Sequence, residues 1–455
     1  MKLISARTAV LVALTVLLVL GLTVFLVQYV NHAAAWAQHP SNRHFYTNAR
    51  LNTSGTIYDR HGNILIQMVD GEIRFNEDAT VRTAVMHATG DRGDNVETGA
   101  LLVFRDRLTG WNFFNGAYRF NNKISPAHDL TLTLDANLCA RAYQELNGRK
   151  GTVGIYNYKT GEILCMVSSP SFDPANPPDL QSYPESYEGV YLNRLLSATY
   201  TPGSVFKLVT TAAALDHLPY IMRKPYQCQG RTQIEGNMVT CLTAHGQVTL
   251  KEALAHSCNV TFAQIALELG ADRLQEYAEL AGFNSSLEID GIKTAVGKVD
   301  LARATKAELA WAGIGQFTNT ANPLNFMAFV GAIANDGIRV TPKILADKNV
   351  FSSLNDTENK KELLSKETAA TLKNMMRNNT LTVYGEHNFR GLELCAKSGT
   401  AEVGAERKPH AWFTGFLARD DFPLAFVVVI EGGGAGSRAA ASVAAKVLPV
   451  AIGVN

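Results

Sequence analysis

The stretch TYTPGSVFKLVTTAAAL, residues 199–215, decides how the rest of the chain is interpreted. Pro202 and Gly203 interrupt regular structure, and Ser204 opens an apolar, alanine-rich run that predicts a helix with Ser204 at its positive N-terminal end. Lys207 follows three residues later, and residues i and i+3 share one helix face. The sequence therefore predicts a hydroxyl beside an amine, the pair that an activated serine nucleophile requires. A serine-capped helix with an exposed lysine would give the same pattern.

Composition sets the class of protein. The chain has 455 residues, of which 46% are hydrophobic and 18% are charged, and its formal net charge is +1. These values are typical of a globular protein with room for two or three domains. With a net charge of only +1 and no basic stripe with interleaved aromatic residues, the chain is not expected to bind nucleic acid.

One apolar segment, residues 8–30, begins at Thr8, ends at Val30 and contains no charged residue. It is long enough to cross a bilayer as a helix. Lys2 and Arg7 precede it, so the positive-inside rule predicts a cytoplasmic N-terminus and an extracytoplasmic remainder. A signal peptide cleaved near residues 33–37 is the alternative, but the run exceeds the roughly 7 to 15 apolar residues of such peptides, which favours a retained anchor.

Pattern changes along the chain predict three segments. We expect a cytoplasmic stub and transmembrane anchor at residues 1–31, a stalk and small N-terminal module at 32–128, and a catalytic domain at 129–455. In the module, residues 54–69 indicate two short strands with a turn at 60–63, whereas no fold could be assigned to residues 70–128.

The catalytic domain is expected to be α+β. A helix at residues 137–146 and a hairpin at 152–167 come first, several helices follow, and the chain ends with strands and a final helix. The expected late elements are strands 392–398, 411–417 and 424–430 and helix 439–450. The early hairpin and the late strands can form one antiparallel sheet flanked by helices.

Two further motifs accompany Ser204-Val205-Phe206-Lys207. They are Ser257-Cys258-Asn259 and Lys397-Ser398-Gly399, and together the three form the S-x-x-K, S-x-N and K-S-G set. Ser353-Leu354-Asn355 also fits the second pattern but lies in a polar run typical of a surface loop. Lys159-Thr160-Gly161 fits the third but falls at the predicted hairpin tip, where the glycine has a turn role.

With these motifs in this order, the sequence resembles a class B, transpeptidase-only penicillin-binding protein over residues 129–455. Further similar stretches are MVSSPSFDP at 166–174, KSGTAE at 397–402 and AWF at 411–413. The resemblance implies the penicillin-binding transpeptidase fold, with an N-terminal membrane helix and a small extracytoplasmic N-terminal module. It also implies a single-pass protein of the cytoplasmic membrane, peptidoglycan stem peptides as substrates and β-lactams as inhibitors.

The same resemblance bears on partners. Roughly a hundred residues between the anchor and residue 129 are too few for a glycosyltransferase domain, so a membrane glycan polymerase is expected as a separate partner. Neither a cofactor nor a catalytic metal is expected. The role in elongation, division or sporulation stays open.

Ser204 is expected to attack the carbonyl between two terminal D-alanines and form an acyl-enzyme. Lys207 is the expected base, because burial and the nearby charge of Lys397 would both favour its neutral form. Ser257 would relay the proton to the departing amine, and Asn259 would hydrogen-bond the substrate backbone and Lys207. A helix cap is the alternative role of Ser257 and Asn259.

Substrate binding is expected along the last motif. Lys397, Ser398 and Thr400 are suited to bind the donor carboxylate, and Gly399 would let the substrate approach the strand closely. By resemblance, the backbone N–H groups of Ser204 and Thr400 would form the oxyanion hole.

Other functions remain open at this level. A D,D-carboxypeptidase or serine β-lactamase would use the same residues with water as the acceptor. A β-lactam sensor or an inactive scaffold for wall synthesis belongs to a different class. Fewer than ten residues precede the anchor, which argues against a cytoplasmic signalling domain, and the complete motif set argues against an inactive scaffold.

Six cysteines are free to oxidise in an extracytoplasmic chain. Cys228 and Cys241 flank a polar, turn-rich stretch and could form a disulfide. With His245 they could instead belong to a zinc site, although the sequence shows no fourth ligand. The other cysteines, Cys139, Cys165, Cys258 and Cys395, are expected to be small buried residues.

Overall fold

The computed structural model describes residues 2–37, 46–47, 50–51, 54–111, 127–179, 182, 184–346, 359–404 and 407–454. These residues form two compact units. The first contains Met1–Ile57, Ile66–Arg74 and Phe104–Leu130, and the second contains Tyr58–Leu65, Phe75–Val103 and Thr131–Asn455. The domain limits drawn from the sequence stay a prediction. About half of the expected stalk, and the whole of the motif-like triplet at residues 353–355, lie outside the described residues.

Helix α1, Lys2–Ala37, dominates the first unit. Its segment Arg7–Tyr29 has a mean hydropathy of 3.0, and no part of its most apolar window is buried. This segment is long and apolar enough to cross a membrane, as expected of the anchor. The N-terminal strands are β1 Tyr46–Thr47, β2 Arg50–Leu51, β3 Ile57–Tyr58, β4 Ile64–Val69 and β5 Glu72–Phe75.

The second unit is built on a five-stranded sheet in the order β17-β18-β19-β7-β8. Every neighbouring pair is antiparallel. The strands are β7 Gly151–Asn157, β8 Ile163–Ser169, β17 Leu394–Ala401, β18 His410–Leu417 and β19 Leu424–Ile430. All residues of β19 and all but the first of β18 are buried, because helices cover the sheet. The predicted sheet of early hairpin and late strands is confirmed.

Helices contact this sheet in two groups. Helices α2, α5 and α13 contact one another or the sheet, and α11 and α12 contact each other and the strands β17 to β19. The helices are α2 Ala79–Thr89, α3 Ala100–Val103, α4 Arg105–Thr109, α5 Ala136–Leu146, α6 Lys207–His217, α7 Leu250–Ala255, α8 Asn259–Leu269, α9 Ala271–Leu280, α10 Lys306–Gly313, α11 Pro323–Ala334, α12 Lys366–Asn379 and α13 Ala439–Ala451. An antiparallel sheet flanked by helices confirms the expected fold class.

The remaining described strands are short and lie outside the five-stranded sheet. They are β6 Leu130–Thr131, β9 Tyr226–Cys228, β10 Arg231–Ile234, β11 Asn237–Thr240, β12 Gly246–Val248, β13 Glu288–Ile289, β14 Ile292–Lys293, β15 Ile338–Val340 and β16 Lys360–Glu362. Strand β9 pairs with β12, and β10 pairs with β11.

Helix α2 lies in the region that the sequence left unassigned. The Asp78 carboxylate caps it by accepting from Thr80 N, and Arg82 on its first turns pairs with Asp173 at 2.5 Å. Asp173 belongs to the proline-rich loop that leads to Ser204. The hydrogen bond from Arg82 lowers the pKa of Asp173 to about 2, so the loop is held by a charged partner at neutral pH.

Candidate active site

Ser204 lies in a 3-10 turn, Gly203–Phe206, immediately before α6. The sequence predicted an α-helix from Ser204 onward, but the helix begins at Lys207. Gly203 has a φ of +54°, and a Cβ there would lie 2.6 Å from the carbonyl oxygen of Thr400. Only glycine meets both conditions, so Gly203 brings the Ser204 turn directly against β17.

Two further glycines, Gly315 and Gly399, allow the close packing around the Ser204 turn. Gly203 N donates to Gly315 O at 2.9 Å, and a side chain on Gly315 would collide with the Gly203 carbonyl. On β17, a Cβ on Gly399 would lie 2.8 Å from Pro202 O. The packing of the Ser204 turn is thus sufficient reason for glycine at residue 399, and its expected contact with substrate stays a prediction.

The Lys207 amine connects the first two motifs. Its Nζ donates to Ser204 Oγ at 3.0 Å, to Ser257 O at 2.7 Å, to Ser257 Oγ at 3.0 Å and to Asn259 Oδ1 at 2.7 Å. The side chain is 0% exposed, and none of these partners is a carboxylate. Burial lowers the pKa of Lys207 to about 7, although the nearby thiols of Cys258 and Cys241 act in the opposite direction. A large fraction of Lys207 is therefore neutral near pH 7 and can accept a proton.

The third motif reaches the same hydroxyl. Lys397 Nζ donates to Ser257 Oγ at 3.1 Å and to Ser398 O at 2.8 Å, so Ser257 lies between two amines. Burial lowers the pKa of Lys397 well below its usual value, and repulsion from Lys207 lowers it further. The sequence predicted that burial and the charge of Lys397 would both favour neutral Lys207; burial is the main cause at both residues, and the repulsion between the amines lowers the pKa of Lys397.

Ser257 and Asn259 are held by local geometry. Ser257 has a φ of +55°, which is unfavourable for a residue with a side chain, and Asn259 begins α8. The Asn259 Nδ2 donates to Thr240 O at 2.8 Å, at the end of β11. The amide of Asn259 is thereby oriented so that its oxygen faces Lys207.

The residues after Lys397 alternate along β17. Ser398 is partly exposed, Gly399 is buried and Thr400 is exposed, while Lys397 itself is fully buried. The Thr400 hydroxyl accepts from Gly436 N at 3.3 Å. Strand alternation thus leaves Ser398 and Thr400 accessible, as a role in binding substrate requires.

Tyr384 was missed by sequence reasoning. It ends a short π-helical segment, Thr380–Tyr384, that directly follows α12. Its hydroxyl accepts from Ser398 N at 2.8 Å and donates to Ser398 Oγ at 3.0 Å, and the side chain is buried. No sequence motif identifies Tyr384, because it contacts the site only in the folded structure. Tyr384 fixes both polar groups of Ser398.

Comparison with known proteins identifies the fold and the family. The family model for the penicillin binding protein transpeptidase domain matches residues 151–449. The chain belongs to this family. The match confirms the transpeptidase domain that the motifs indicated, and together with the relatives described next it confirms the resemblance to class B penicillin-binding proteins.

Two similar proteins are named as peptidoglycan D,D-transpeptidases. A peptidoglycan D,D-transpeptidase PbpA of Mycolicibacterium smegmatis is 30% identical over 311 residues, which cover 63% of this chain and 62% of the relative. A peptidoglycan D,D-transpeptidase MrdA of Acinetobacter baumannii is 27% identical over 448 residues, which cover 87% of this chain and 66% of the relative. The matched regions thus span less than two thirds of the length of these relatives.

Solved structures agree on the fold. Penicillin-binding protein A of Mycobacterium tuberculosis, in a ceftriaxone acyl-enzyme complex, has a TM-score of 0.75 at 23% identity, covering 88% of this chain and 98% of that chain. A D,D-transpeptidase domain from Eggerthella lenta has a TM-score of 0.74 at 25% identity, covering 88% and 99%. The penicillin-binding transpeptidase fold of this chain is therefore shown by structure as well as by sequence.

The buried amine of Lys397 gives a prediction for stability. In the unfolded chain the Lys397 amine stays protonated up to a pH of about 10.4, whereas in the folded chain it loses its proton at lower pH. Between the two pKa values the unfolded state binds more protons, so Lys397 makes the free energy of unfolding rise with pH. Lys397→Met removes this dependence, and it should raise the free energy of unfolding at pH 7 by about 1 kcal/mol or more.

The measurement is denaturant unfolding of wild type and Lys397→Met from pH 6 to 10. Lys159→Met, which replaces an exposed lysine at the tip of the β7–β8 hairpin, is the matched control and should change little. The advantage of Lys397→Met should shrink as pH rises. A difference from wild type that stays constant with pH would contradict the assignment.

Proposed function

We propose that this protein is a peptidoglycan D,D-transpeptidase that crosslinks stem peptides through an acyl-enzyme on Ser204. The observation that carries the proposal is the hydrogen bond between Lys207 Nζ and Ser204 Oγ at 3.0 Å, made by a buried lysine with neutral partners only. A neutral amine in this position is a competent base for a serine nucleophile.

In the first step, Ser204 Oγ attacks the carbonyl carbon between the two terminal D-alanines while Lys207 takes the hydroxyl proton, which it then passes on to Ser257 Oγ as Ser257 gives its own proton to the leaving group. The tetrahedral oxyanion is stabilised by the backbone N–H groups of Ser204 and Thr400. Ser257, in contact with both amines, passes a proton to the departing D-alanine nitrogen. The bond to D-alanine breaks, and the donor peptide is left as an ester on Ser204.

In the second step, an amine of a neighbouring stem peptide attacks the ester. The same groups work in reverse. The attacking amine loses its proton to Ser257, which passes a proton to Lys207, and Lys207 returns a proton to Ser204 Oγ. Lys397 and the accessible hydroxyls of Ser398 and Thr400 bind the carboxylate of the donor, and Asn259 holds its backbone. A β-lactam would acylate Ser204 and remain bound.

The proposal includes location and partners. The apolar segment Arg7–Tyr29 anchors the protein in the cytoplasmic membrane as a single span, with the N-terminus inside and the catalytic domain outside. A membrane glycan polymerase supplies the polymer that is crosslinked. We retain the limits 1–31, 32–128 and 129–455 for the stub and anchor, the N-terminal module and the catalytic domain.

Labelling with a fluorescent penicillin tests the acyl-enzyme. Ser204→Ala should lose covalent labelling entirely, and Lys397→Ala should lower the labelling rate at least about a hundredfold, because removing a group that binds or activates the reacting atoms costs several kcal/mol. Lys159→Ala, in the motif-like triplet at the hairpin tip, should label like wild type. Equal labelling of Ser204→Ala would show that another residue is acylated.

A product assay separates transpeptidase from hydrolase. The purified full chain is incubated with lipid-linked glycan polymer, and the products are digested and separated. We expect crosslinked dimers that disappear with Ser204→Ala. Trimmed stem peptides without dimers would indicate a carboxypeptidase, and rapid turnover of penicillin would indicate a β-lactamase.

Tyr384 is expected to act as a positioning residue. Tyr384→Phe removes both hydrogen bonds to Ser398, which should weaken noncovalent binding of a β-lactam about tenfold. The maximal acylation rate should change much less, because Lys207 and Ser204 are untouched. Tyr158→Phe is the control, since its buried hydroxyl donates to Leu417 O at 3.3 Å on the same sheet. An equal loss in both variants would point to general destabilisation.

A further inference from the structure

Four potential metal ligands meet beside the SxN motif. They are Cys228, Cys241, His245 and Cys258, and their ligand atoms all lie within 4.8 Å of one another. The Sγ atoms of Cys228 and Cys241 are 3.7 Å apart, those of Cys241 and Cys258 are 3.8 Å apart, and Cys228 Sγ lies 3.4 Å from His245 Nδ1. All three cysteines are free thiols, so the disulfide considered from the sequence is not formed.

These spacings match the edges of a zinc tetrahedron. Zinc binds thiolate sulfur at about 2.3 Å and imidazole nitrogen at about 2.0 to 2.1 Å, which places sulfur atoms about 3.8 Å apart and sulfur and nitrogen about 3.6 Å apart. The sequence suggested a zinc site only as an alternative, because it offered three ligands. Cys258, read as the middle residue of a catalytic motif, supplies the fourth.

The backbone around the cluster is arranged as a ligand scaffold. Cys228 ends β9 and pairs with Gly246, which places His245 beside it, and Cys241 N donates to Gly230 O at 2.8 Å. Each sulfur also accepts from a backbone N–H at 3.4 Å: Cys228 from Gly230, Cys241 from Val260 and Cys258 from Thr261. Such donors orient thiolates and stabilise their charge.

The hairpin between Cys228 and Cys241 has little core of its own. Within β10 and β11, Val239 is the only buried residue. A hairpin with so small an apolar contribution is marginal alone, and a bound metal is one of the usual ways to stabilise it.

We propose that Cys228, Cys241, His245 and Cys258 bind one Zn²⁺ ion in a closed, structural site. The three thiols lose their protons to solvent, the imidazole binds as the neutral base, and the complex carries a net charge of −1. Thiolate and imidazole ligands select zinc over magnesium or calcium. Because all four positions are filled by protein, the ion has no place for water or substrate.

The site also ties the hairpin to the catalytic turn. Cys258 lies between Ser257 and Asn259, and Cys241 follows Thr240, whose carbonyl accepts from Asn259 Nδ2 at 2.8 Å. An ion bound by both Cys241 and Cys258 would fix the two ends of the hydrogen bond between Asn259 and Thr240. It would also stabilise the unfavourable φ of Ser257. Zinc is therefore expected to maintain the geometry of Ser257 and Asn259, a consequence that rests on the proposed function.

The first test measures metal content. The full chain, purified in detergent under reducing conditions, should contain about one zinc per molecule by mass spectrometry of the metal. Cys228→Ser and His245→Ala should lower zinc affinity at least about tenfold. The controls are Cys139→Ser, at a buried cysteine outside the cluster, and His256→Gln, at an exposed histidine whose ring stacks 5.8 Å from that of His245. Both controls should keep their zinc.

A second measurement does not depend on how the variants fold. Wild type treated with a zinc chelator should unfold at a lower temperature, and added Zn²⁺ should restore the midpoint. Cobalt in place of zinc should give the visible absorption of a tetrahedral thiolate site. Three results would overturn the proposal. The protein could contain no zinc and fail to take up added Zn²⁺ or Co²⁺, two of these cysteines could form a disulfide in the reduced protein, or the protein could bind a different metal stoichiometrically.

The catalytic consequence is tested separately. Zinc-depleted wild type should be acylated by a fluorescent penicillin about tenfold more slowly, and zinc should restore the rate. If metal binds but no form of the protein is acylated, the proposed function fails while the site stands. If acylation is normal and the protein takes up no metal, the site fails while the function stands.

Discussion

The active site depends on a lysine amine that is buried without a negative partner. Lys207 Nζ is held by one amide oxygen, one carbonyl and two hydroxyls, and its side chain has no access to solvent. A carboxylate in the same shell would keep the ammonium form, and Lys207 could then not accept the proton of Ser204. Neutral acceptors satisfy the hydrogen bonds of the amine and leave burial to lower its pKa to about 7.

The fold supplies those acceptors from separate elements. Ser204 lies on the turn before α6, Ser257 lies between α7 and α8, and Asn259 begins α8. Lys397, which donates to Ser257, lies on β17 at the edge of the sheet. Glycines remove the side chains that would keep these elements apart, since Gly203 and Gly399 allow backbone to approach backbone. Among the described residues no strand pairs with the outer side of β17, and there the Tyr384 hydroxyl accepts from Ser398 N.

Sequence reasoning succeeded where one element carries its own signal. Helix α13 was predicted at residues 439–450 and is observed at Ala439–Ala451, because its alanine-rich apolar run has a high helix propensity. Strand β19 is a continuous apolar run and was also predicted correctly. The three motifs located Ser204, Lys207, Ser257, Asn259 and Lys397, which the structure brings together through hydrogen bonds.

Reasoning from local pattern failed where the deciding contact is distant in sequence. Ser204 was assigned to an α-helix, but the contact of Gly203 with Thr400 imposes a tighter turn. Tyr384 carries no signal, since its partner Ser398 lies on another element. Cys258 is the sharpest case: its neighbours in the sequence are catalytic, whereas its neighbours in space are two thiols and an imidazole. The strained φ of Ser257 turns the chain between these two environments. Ser257 and Asn259 therefore contact the Lys207 amine, while Cys258 between them lies in the cysteine cluster.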